Sequence, residues 1–441
     1  MRSRSLWMGL FCFALLSHPT FSHSRSVKQG QKNSTKTSVR KKAQRQKILL
    51  YALQHNLALR VFQARIQRAE AKIKGLRVFP NNPVLSGGGG AQFPADSTPA
   101  SGQLSSPLPR VGVELSLALP VGGRWGKNQQ LATTQFLWLQ RRAQFRRFQL
   151  SLRVHHALNQ IAVASQMRDK RRTIVLFFQR LEKLIQERIR HGAATQLDLQ
   201  LAQTSQLQAQ QAVLSATARY HLTHQRLKTL LGWTSPANMP WQSILLPAFA
   251  ALPKKATLVS KAITQHMEIR LAEARIAQAK AALALSKVRA IPDLTIAVGY
   301  SLEDNNHIVR GGLSIPLPFF WRNQSQVGQS HAQLRRTRLI LARRRFLVRQ
   351  RIQQAYTQYQ LNLRMVRLFQ KQLRTIQARS RLIEQGLNQG SFSVFQVLAT
   401  RRNIIQSQIQ YLKSVQKAHS SYIRLCRAGG FLPTYKGALR P

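Results

Sequence analysis

An internal duplication is the feature that most constrains how this chain can fold. Five local patterns occur twice, in the same order along the chain. They are the segments 52–59 and 262–269, the segments 64–69 and 274–279, the tripeptides Pro83-Val84-Leu85 and Pro292-Asp293-Leu294, the tripeptides Leu119-Pro120-Val121 and Ile315-Pro316-Leu317, and the glycines Gly192 and Gly390. A repeat of this kind predicts two halves that share one order of helices and strands.

Each half has the pattern of a helix, two strands, a long helix and a shorter helix. The long helices are predicted over two stretches without proline, 124–190 and 322–389, and would each span ~100 Å at 1.5 Å per residue. The other predicted helices are the opening ones, 43–77 and 256–289, and the closing ones, 193–231 and 391–427. One opening and one closing helix, stacked end to end, would match the length of a long helix.

Alternating apolar and polar residues predict four strands. The alternation is clear at 111–119, 294–300 and 313–315, and weaker at 84–93, where glycines interrupt it. The polar segments 94–109 and 303–307 are expected to be exposed loops. Four strands cannot close a barrel, and open edges would leave backbone groups unpaired in lipid. Several copies would therefore have to share one barrel, and three copies would supply an even number of strands.

The N-terminus has the layout of a secretory signal peptide. Arg2 and Arg4 precede an apolar run over 6–16, and small residues follow Pro19. We expect a signal peptide (1–24), a disordered basic lead-in (25–47), a first repeat (48–232), a linker (233–255), a second repeat (256–430) and a C-terminal tail (431–441). After Leu16, no apolar stretch has the length of a transmembrane helix.

The chain is strongly basic, with 68 Lys and Arg against 13 Asp and Glu and a net charge of +55. Such a surplus suits nucleic acid, anionic lipid or acidic surroundings. Arginines such as Arg335, Arg343 and Arg364 are scattered along helices without the interleaved aromatic residues of stacking sites. A secreted basic coiled-coil scaffold or a nucleic-acid-binding protein is the alternative to a channel. We also hypothesise that few carboxylates suit an acidic medium, where arginine stays charged.

The residue pattern predicts no enzyme, no cofactor and no metal site. Ser, His and Asp occur without a nucleophile-elbow motif or paired carboxylates. Four histidines, His155, His156, His221 and His224, are close in sequence but lack a third ligand, so we interpret them as residues of helix surfaces.

Six short motifs follow one another in a specific order. They are Asn82-Pro83 with Leu85 and the glycines after it, Leu119 to Arg124, Arg190 to Asp198, Leu230-Leu231-Gly232, Pro316 to Gln324, and Gln389 to Val394. In this order they resemble the TolC-type outer-membrane efflux family over essentially the whole mature chain. The Gly122-Gly123-Arg124 turn is similar to that of the heavy-metal (CzcC-type) branch.

The resemblance implies a mainly α fold with a small antiparallel β part. Two long-helix repeats would form an α-barrel tunnel in the periplasm, and four strands per chain would contribute to a trimeric twelve-stranded β-barrel in the lipid of the outer membrane. The implied partners are two further copies in a homotrimer, a periplasmic adaptor and an inner-membrane transporter of the RND or ABC type, and no nucleic acid. The chain would conduct drugs or metal ions passively and would catalyse nothing.

The resemblance also implies which residues carry the function. The periplasmic gate and the adaptor contact would be formed by Gly192, Ala193, Thr195, Asp198, Gly390, Ser391, Phe392, Ser393 and Gln396. The strand-to-helix turns would use Pro120, Gly122, Gly123, Pro316 and Pro318. Asp198 falls where the family commonly has a gating aspartate, whereas Gln396 and Ala399 replace residues that are often acidic. We therefore expect the gate to lack a second acidic ring.

Overall fold

The structure is a computed structural model that describes residues 44–92, 108–233, 246–249, 252–303, 306–388 and 394–434. Side chains are not described at 92, 108, 109, 377–388 and 394. The predicted signal peptide, most of the lead-in and most of the 94–109 loop lie outside the described residues.

The two halves contain the same elements in the same order, which confirms the duplication. In chain order they are α1 (44–55), α2 (Leu57–Gly75), β1 (Val84–Gln92), β2 (Leu108–Leu119), α3 (Arg124–Arg190), α4 (Gln196–Leu231), α5 (Lys255–Gln265), α6 (Met267–Val288), β3 (Leu294–Glu303), β4 (Asn306–Ser314), α7 (Gln324–Asn388) and α8 (Val394–Gly429). The long helices α3 and α7 have 67 and 65 residues, so each is ~100 Å long at 1.5 Å per residue.

The prediction of single opening helices was wrong, because each is two helices. The first breaks at Asn56 (φ −66, ψ 118) and the second at His266 (φ −64, ψ 130). An extended residue interrupts the helical hydrogen bonds, and both side chains then cap the next helix. The Asn56 side chain accepts a bond from the Leu59 N–H at 3.3 Å. His266 Nδ1 accepts one from the Glu268 N–H at 3.1 Å.

The two breaks occupy the same position in the two repeats, and each forms a joint between helix ends. At the first joint, Asn56 Nδ2 donates to the carbonyl oxygen of Leu230 at 2.8 Å, so α2 begins where α4 ends. At the second joint, His266 Nε2 lies 3.3 Å from the carbonyl oxygen of Arg427, so α6 begins where α8 ends. The helix ends therefore meet at both joints, as the predicted end-to-end stacking requires.

The four strands form one antiparallel sheet in the order β1-β2-β3-β4. The predicted loops were too wide. Residues 108 and 109 belong to β2, and Glu303 pairs with Asn306 across the turn between β3 and β4. Ladder hydrogen bonds extend the strands into polar segments because they join backbone groups and do not need apolar side chains.

The core is a series of apolar clusters between the helices. One cluster lies near the first joint around Leu158 and Leu231, and another near the second joint around Tyr359 and Tyr422. The linker contributes to the core, since Leu246 is buried among residues of α3, α7 and α8. Among the described helices, none has an apolar stretch that would span a bilayer.

Candidate functional site: helix tip, turns and sheet

The first helical tip, residues 191–195, is built by two capping motifs. Helix α3 ends in a Schellman motif, in which the Gly192 N–H donates to the Ile189 carbonyl at 3.0 Å and the Ala193 N–H to the Arg188 carbonyl at 2.8 Å. Gly192 has a φ of +69, which a residue with a Cβ adopts only at a cost. This glycine therefore fixes where α3 stops and the chain reverses.

Helix α4 begins with a capping box formed by Thr195 and Asp198. The Thr195 hydroxyl accepts from the Asp198 N–H at 3.2 Å and donates to Asp198 Oδ2 at 2.8 Å. The same carboxylate oxygen accepts from the Thr195 N–H at 3.0 Å. The box satisfies two N–H groups at the helix start, which explains why α4 starts three residues after the predicted 193. Asp198 thus has a structural role that was not predicted, although Thr195 and Asp198 have the three-residue spacing typical of a capping box.

The first tip packs against the beginning of α8. Val397 is buried in a cluster with Phe178, Leu181 and Ile185 of α3 and Ala202 of α4. Gln396, on the same first turn of α8, is exposed. The structure therefore brings the predicted residues of the first tip and Gln396 to the same end of the molecule. Gly390, Ser391, Phe392 and Ser393 lie outside the described residues.

In both strand-to-helix turns the residue before the long helix has a left-handed backbone, but this residue is a glycine in the first turn and an asparagine in the second. Gly122 and Gly123 have φ values of +75 and +76, and a Cβ on Gly122 would lie 2.8 Å from Ile291 Cδ1. In the second half, Asn323 has a φ of 58, and its side chain donates to the Ser286 carbonyl at 2.7 Å. Asparagine tolerates this left-handed region better than most residues. Because Asn323 is not helical, α7 begins at Gln324, two residues after the predicted 322.

The predicted turn prolines lie where the chain leaves the sheet. Pro120 directly follows β2, and Pro316 and Pro318 follow β4 before the chain enters α7. In the first turn, Arg124 forms an ion pair of 2.7 Å with Asp293, the residue before β3. This contact connects the two repeats at the base of the sheet.

The sheet has one apolar and one polar face. Leu85, Leu115 and Val298 lie side by side across β1, β2 and β3 and are exposed, as are Tyr300 and Val309 on the same face. The other face carries polar residues such as Glu114, Arg110, Glu303 and Arg310. Glu303 there forms ion pairs of 3.3 Å with Arg110 and 3.1 Å with Arg310. Within the described parts of the chain, β2 and β3 each pair with a strand on both sides, whereas β1 and β4 each pair on one side and are open edges.

His155 was predicted on a helix surface, whereas no position was predicted for His419. His155 is not a surface residue: burial, with a contribution from Arg45, lowers its pKa to about 4. His419 is 1% exposed and stacks on Phe249 with the ring centroids 4.5 Å apart. Burial, again with Arg45, lowers the pKa of His419 to about 3. Across the part of the chain that the structure describes, no three His, Cys, Asp or Glu side chains are grouped as a metal site.

The breaks in the two opening helices are the feature of the structure that the sequence pattern did not predict. A signal was present, since Asn56 and His266 occupy equivalent positions of the repeat, and asparagine is a preferred N-cap. Histidine is not a usual cap, so the second break had no comparable signal. The helical periodicity continues on both sides of Asn56 and of His266, so the sequence pattern predicted one helix at each place.

Comparisons with known proteins agree with this architecture. The model of the outer membrane efflux protein family matches residues 49–233 and 258–430, which are the two repeats. The cobalt-zinc-cadmium resistance protein CzcC of Cupriavidus metallidurans is 25% identical over 245 residues, 51% of this chain and 54% of that protein. The chain thus matches about half the length of that relative.

Solved structures share the fold at low sequence identity. CusC superposes with a TM-score of 0.71 at 15% identity, covering 88% of this chain and 92% of that chain. VceC of Vibrio cholerae superposes with a TM-score of 0.69 at 15% identity, covering 89% and 97%. The resemblance of the six sequence motifs is confirmed, and since the family match spans both repeats, this chain belongs to the outer membrane efflux protein family.

Proposed function

We propose that this chain is the outer-membrane channel subunit of a tripartite efflux system. Three copies would form a twelve-stranded barrel in the outer membrane, continued by a helical tunnel in the periplasm. The channel would conduct its substrates passively to the exterior. The observation that carries the proposal is the four-stranded sheet, which has an exposed apolar face, a polar face and two open edges.

The open edges of the sheet support a barrel that is closed by other copies of the chain. An exposed apolar face is costly in water and stable in hydrocarbon, but the unpaired edges of β1 and β4 are not stable there. If β4 of one copy pairs with β1 of the next, every edge is satisfied. The polar face, with Glu303 between Arg110 and Arg310, would then line the lumen. Bacterial barrels have an even number of strands, which three copies supply.

The helices offer a matching head-to-tail contact. Within the described chain, α2 and α4 pack mainly on α3, whereas α7 packs on α5, α6 and α8, so they lie at opposite margins. Both margins expose large apolar side chains, such as Leu207 and Leu214 on α4 and Leu339 and Phe346 on α7. A contact between unlike surfaces closes into a ring when the rotation per copy allows it.

The proposed partners and substrates follow from the family and from its relatives. A periplasmic adaptor and an inner-membrane transporter of the RND or ABC type would deliver the substrate and open the tips. CzcC is a cobalt-zinc-cadmium resistance protein, so metal ions are our first candidate substrate and drugs the second. A basic scaffold or nucleic-acid-binding protein is not favoured, because the family match covers both repeats.

Electron microscopy and bilayer recordings of the purified full chain test the proposal. We expect a trimer with a helical tube of ~100 Å on a short barrel, and discrete conductance steps in a planar bilayer. The large positive charge predicts anion preference, measured as the reversal potential in a salt gradient. A monomeric, non-conducting protein would contradict the proposed function, and cation preference would contradict only the electrostatic part.

The gate is proposed at the first tip, together with Gln396 and the second tip. Leu197 and Leu201 lie one helical turn apart at the start of α4 and are 65% and 38% exposed, which gives an adaptor an apolar contact. Asp198 is half-buried in the capping box. A carboxylate here would contribute negative charge to a constriction that otherwise has few acids.

Three substitutions separate the charge of Asp198 from its capping role. Asp198→Asn removes the charge and keeps an oxygen that accepts from the Thr195 N–H. Thr195→Ala keeps the charge and removes the hydroxyl of the box, and Asp198→Ala removes both. We expect the closed-state conductance to change in both Asp198 variants and not in Thr195→Ala. A closed-state conductance equal to that of the wild type in all three variants would exclude a charge-based gate at Asp198.

A further inference from the structure

Beside the second joint, four arginines surround a cavity of about 860 Å³. Arg344 and Arg351 belong to α7, and Arg424 and Arg427 to the last two turns of α8. The remaining wall comes from α3 and α6. We call this cavity the arginine pocket. A volume between roughly 300 and 1,000 Å³ is typical of sites for small molecules.

The charge of the arginine pocket is not balanced by the described residues. Glu268 forms ion pairs of 3.1 Å with Arg344 and 3.3 Å with Arg351. Among the carboxylates that the structure describes, none lies within ion-pair distance of Arg424 or Arg427. Four guanidinium groups thus face one carboxylate, and the pocket carries a surplus of positive charge.

The spacing of the arginines places them in two pairs. Arg344 and Arg351 are two helical turns apart, about 10 Å along α7, and the buried Val348 lies between them. Arg424 and Arg427 are three residues apart and therefore lie on the same side of α8. Each pair can bind one anionic group, and guanidinium groups bind carboxylate and phosphate oxygens in bidentate geometry.

The lining of the arginine pocket also contains apolar side chains and a neutral imidazole. Phe145, Leu271 and Val348 are among the lining residues. His266 also lines the pocket, with its Nε2 3.3 Å from the Arg427 carbonyl oxygen and its Nδ1 accepting from the Glu268 N–H. An imidazole that accepts at Nδ1 is the neutral tautomer. Apolar walls strengthen charge interactions because they lower the local dielectric constant.

We propose that the arginine pocket binds a small multivalent anion that carries two or more phosphate or carboxylate groups. One group pairs with Arg344 and Arg351, where it replaces part of the contact with Glu268, and another pairs with Arg424 and Arg427. An anion with a single charged group satisfies only one pair. This site lies outside the proposed gate and the strand-to-helix turns.

Calorimetry on the purified full chain in detergent, at fixed ionic strength, tests this site. The probes are inorganic pyrophosphate and citrate, with acetate as the singly charged control. We expect pyrophosphate or citrate to bind and acetate not to bind. Arg351→Gln and Arg424→Gln should each weaken binding about 10-fold, since a charge-assisted contact contributes on the order of 1.4 kcal/mol. Which of the two probes binds more tightly assigns the site to phosphates or to carboxylates.

Two further variants distinguish a specific site from general attraction to a basic protein. Arg364→Gln removes an exposed arginine on α7 outside the pocket and should leave the affinity unchanged. Glu268→Gln removes the competing carboxylate and should tighten binding about 3-fold or more. Weakening by Arg364→Gln as large as that by Arg351→Gln, or weaker binding by Glu268→Gln, would overturn the proposal. So would pocket variants that alter only the stability of the assembly, because a neighbouring copy would then fill the cavity.

Discussion

The closing helices α4 and α8 have the same length, 36 residues each, and each ends at the joint of its own repeat, but their surroundings differ. Helix α4 lies at a margin of the chain and packs mainly on α3, whereas α8 lies between α3 and α7. His221 and His419 occupy the same position in the two helices. His221 is exposed, and His419 is 1% exposed. The same local structure therefore carries different chemistry according to its neighbours.

The two joints also differ in the chemistry of the side chain that forms them. The first joint uses the amide of Asn56, which does not titrate, and the second uses the imidazole of His266. Burial is the main cause that lowers the pKa of His266, and Arg351 adds to it, while the hydrogen bond to Arg427 and the charge of Glu268 act in the other direction. Acid should therefore act on the second joint more than on the first joint.

The largest expected effect is the pH dependence that His419 confers. Its pKa is about 3 in the folded chain and about 6.5 when unfolded. Because the unfolded state binds the extra proton, stability is complete above about pH 6.5 and falls by up to about 1.4 kcal/mol per pH unit towards pH 3. His419→Gln should flatten the dependence of the denaturant midpoint on pH, and His221→Gln is the matched control. Equal slopes in the wild type and His419→Gln would contradict this prediction.

The next largest effect concerns the glycines of the joints. Gly232 has a φ of +67, and a Cβ there would lie 2.9 Å from the His55 carbonyl oxygen. Gly430 has a φ of +73, and its Cβ would meet the imidazole of His266 at 2.9 Å. We expect Gly232→Ala to cost about 3 kcal/mol and Gly430→Ala about 2 kcal/mol, because a side chain yields more easily than backbone.

Melting temperatures of the purified variants measure this difference. Gly126→Ala is the control, because a Cβ at Gly126 has no neighbour within 4 Å and its φ is not positive. Its melting temperature should equal or exceed that of the wild type. A Gly430→Ala variant less stable than Gly232→Ala would reverse the expected order of the two joints.

A smaller effect is expected at the capping side chains. Asn56→Ala removes the cap of α2 and the donor to the Leu230 carbonyl, and should cost about 1–2 kcal/mol. Asn56→Ser keeps a capping hydroxyl and loses the amide donor, so its cost should be smaller. His266→Asn gives the second joint the residue of the first and should reduce the acid sensitivity of stability. Denaturant unfolding at pH 7 and pH 5 checks all three, and unchanged acid sensitivity in His266→Asn would exclude His266 as a contributor.

The smallest effect is expected at the strand-to-helix turns. Gly123 has a positive φ, and a Cβ there would meet nothing within 4 Å. Gly123→Asn, which copies the second turn, should change the free energy of unfolding by less than about 0.5 kcal/mol. Asn323→Gly should cost about 1 kcal/mol, because it removes the buried bond to the Ser286 carbonyl. A loss in Gly123→Asn as large as that in Asn323→Gly would show that the turns are not equivalent.

The hypothesis that few carboxylates suit an acidic medium stays a prediction. The buried histidines act against it, since His155 and His419 resist protonation and each favours unfolding in acid. Measuring stability and conductance from about pH 2 to 7 weighs the two effects. A protein that unfolds near pH 5 would show that the histidines dominate.

The amino-acid sequence by itself determined the two-repeat order, the bounds of α3 and the positions of the sheet. Those features depend on local signals: the absence of proline, the alternation of apolar residues, and glycines where φ is positive. The site was predicted in part. Gly192 and Thr195 cap the helices of the first tip, and their role in a gate stays a prediction. The capping box of Thr195 and Asp198 has a spacing that the sequence shows, but it was not predicted.

Only the tertiary structure decided how equivalent residues of the two repeats differ in burial and in charge. The breaks at Asn56 and His266 form because each residue bonds to the end of a helix more than 150 residues away in sequence. The burial of His419 and the arginine pocket depend on α8 lying between α3 and α7. Local sequence carries no signal for such contacts, because they join residues that are distant along the chain. The burial of His419 and the charge of the arginine pocket therefore depend on the fold and not on local sequence.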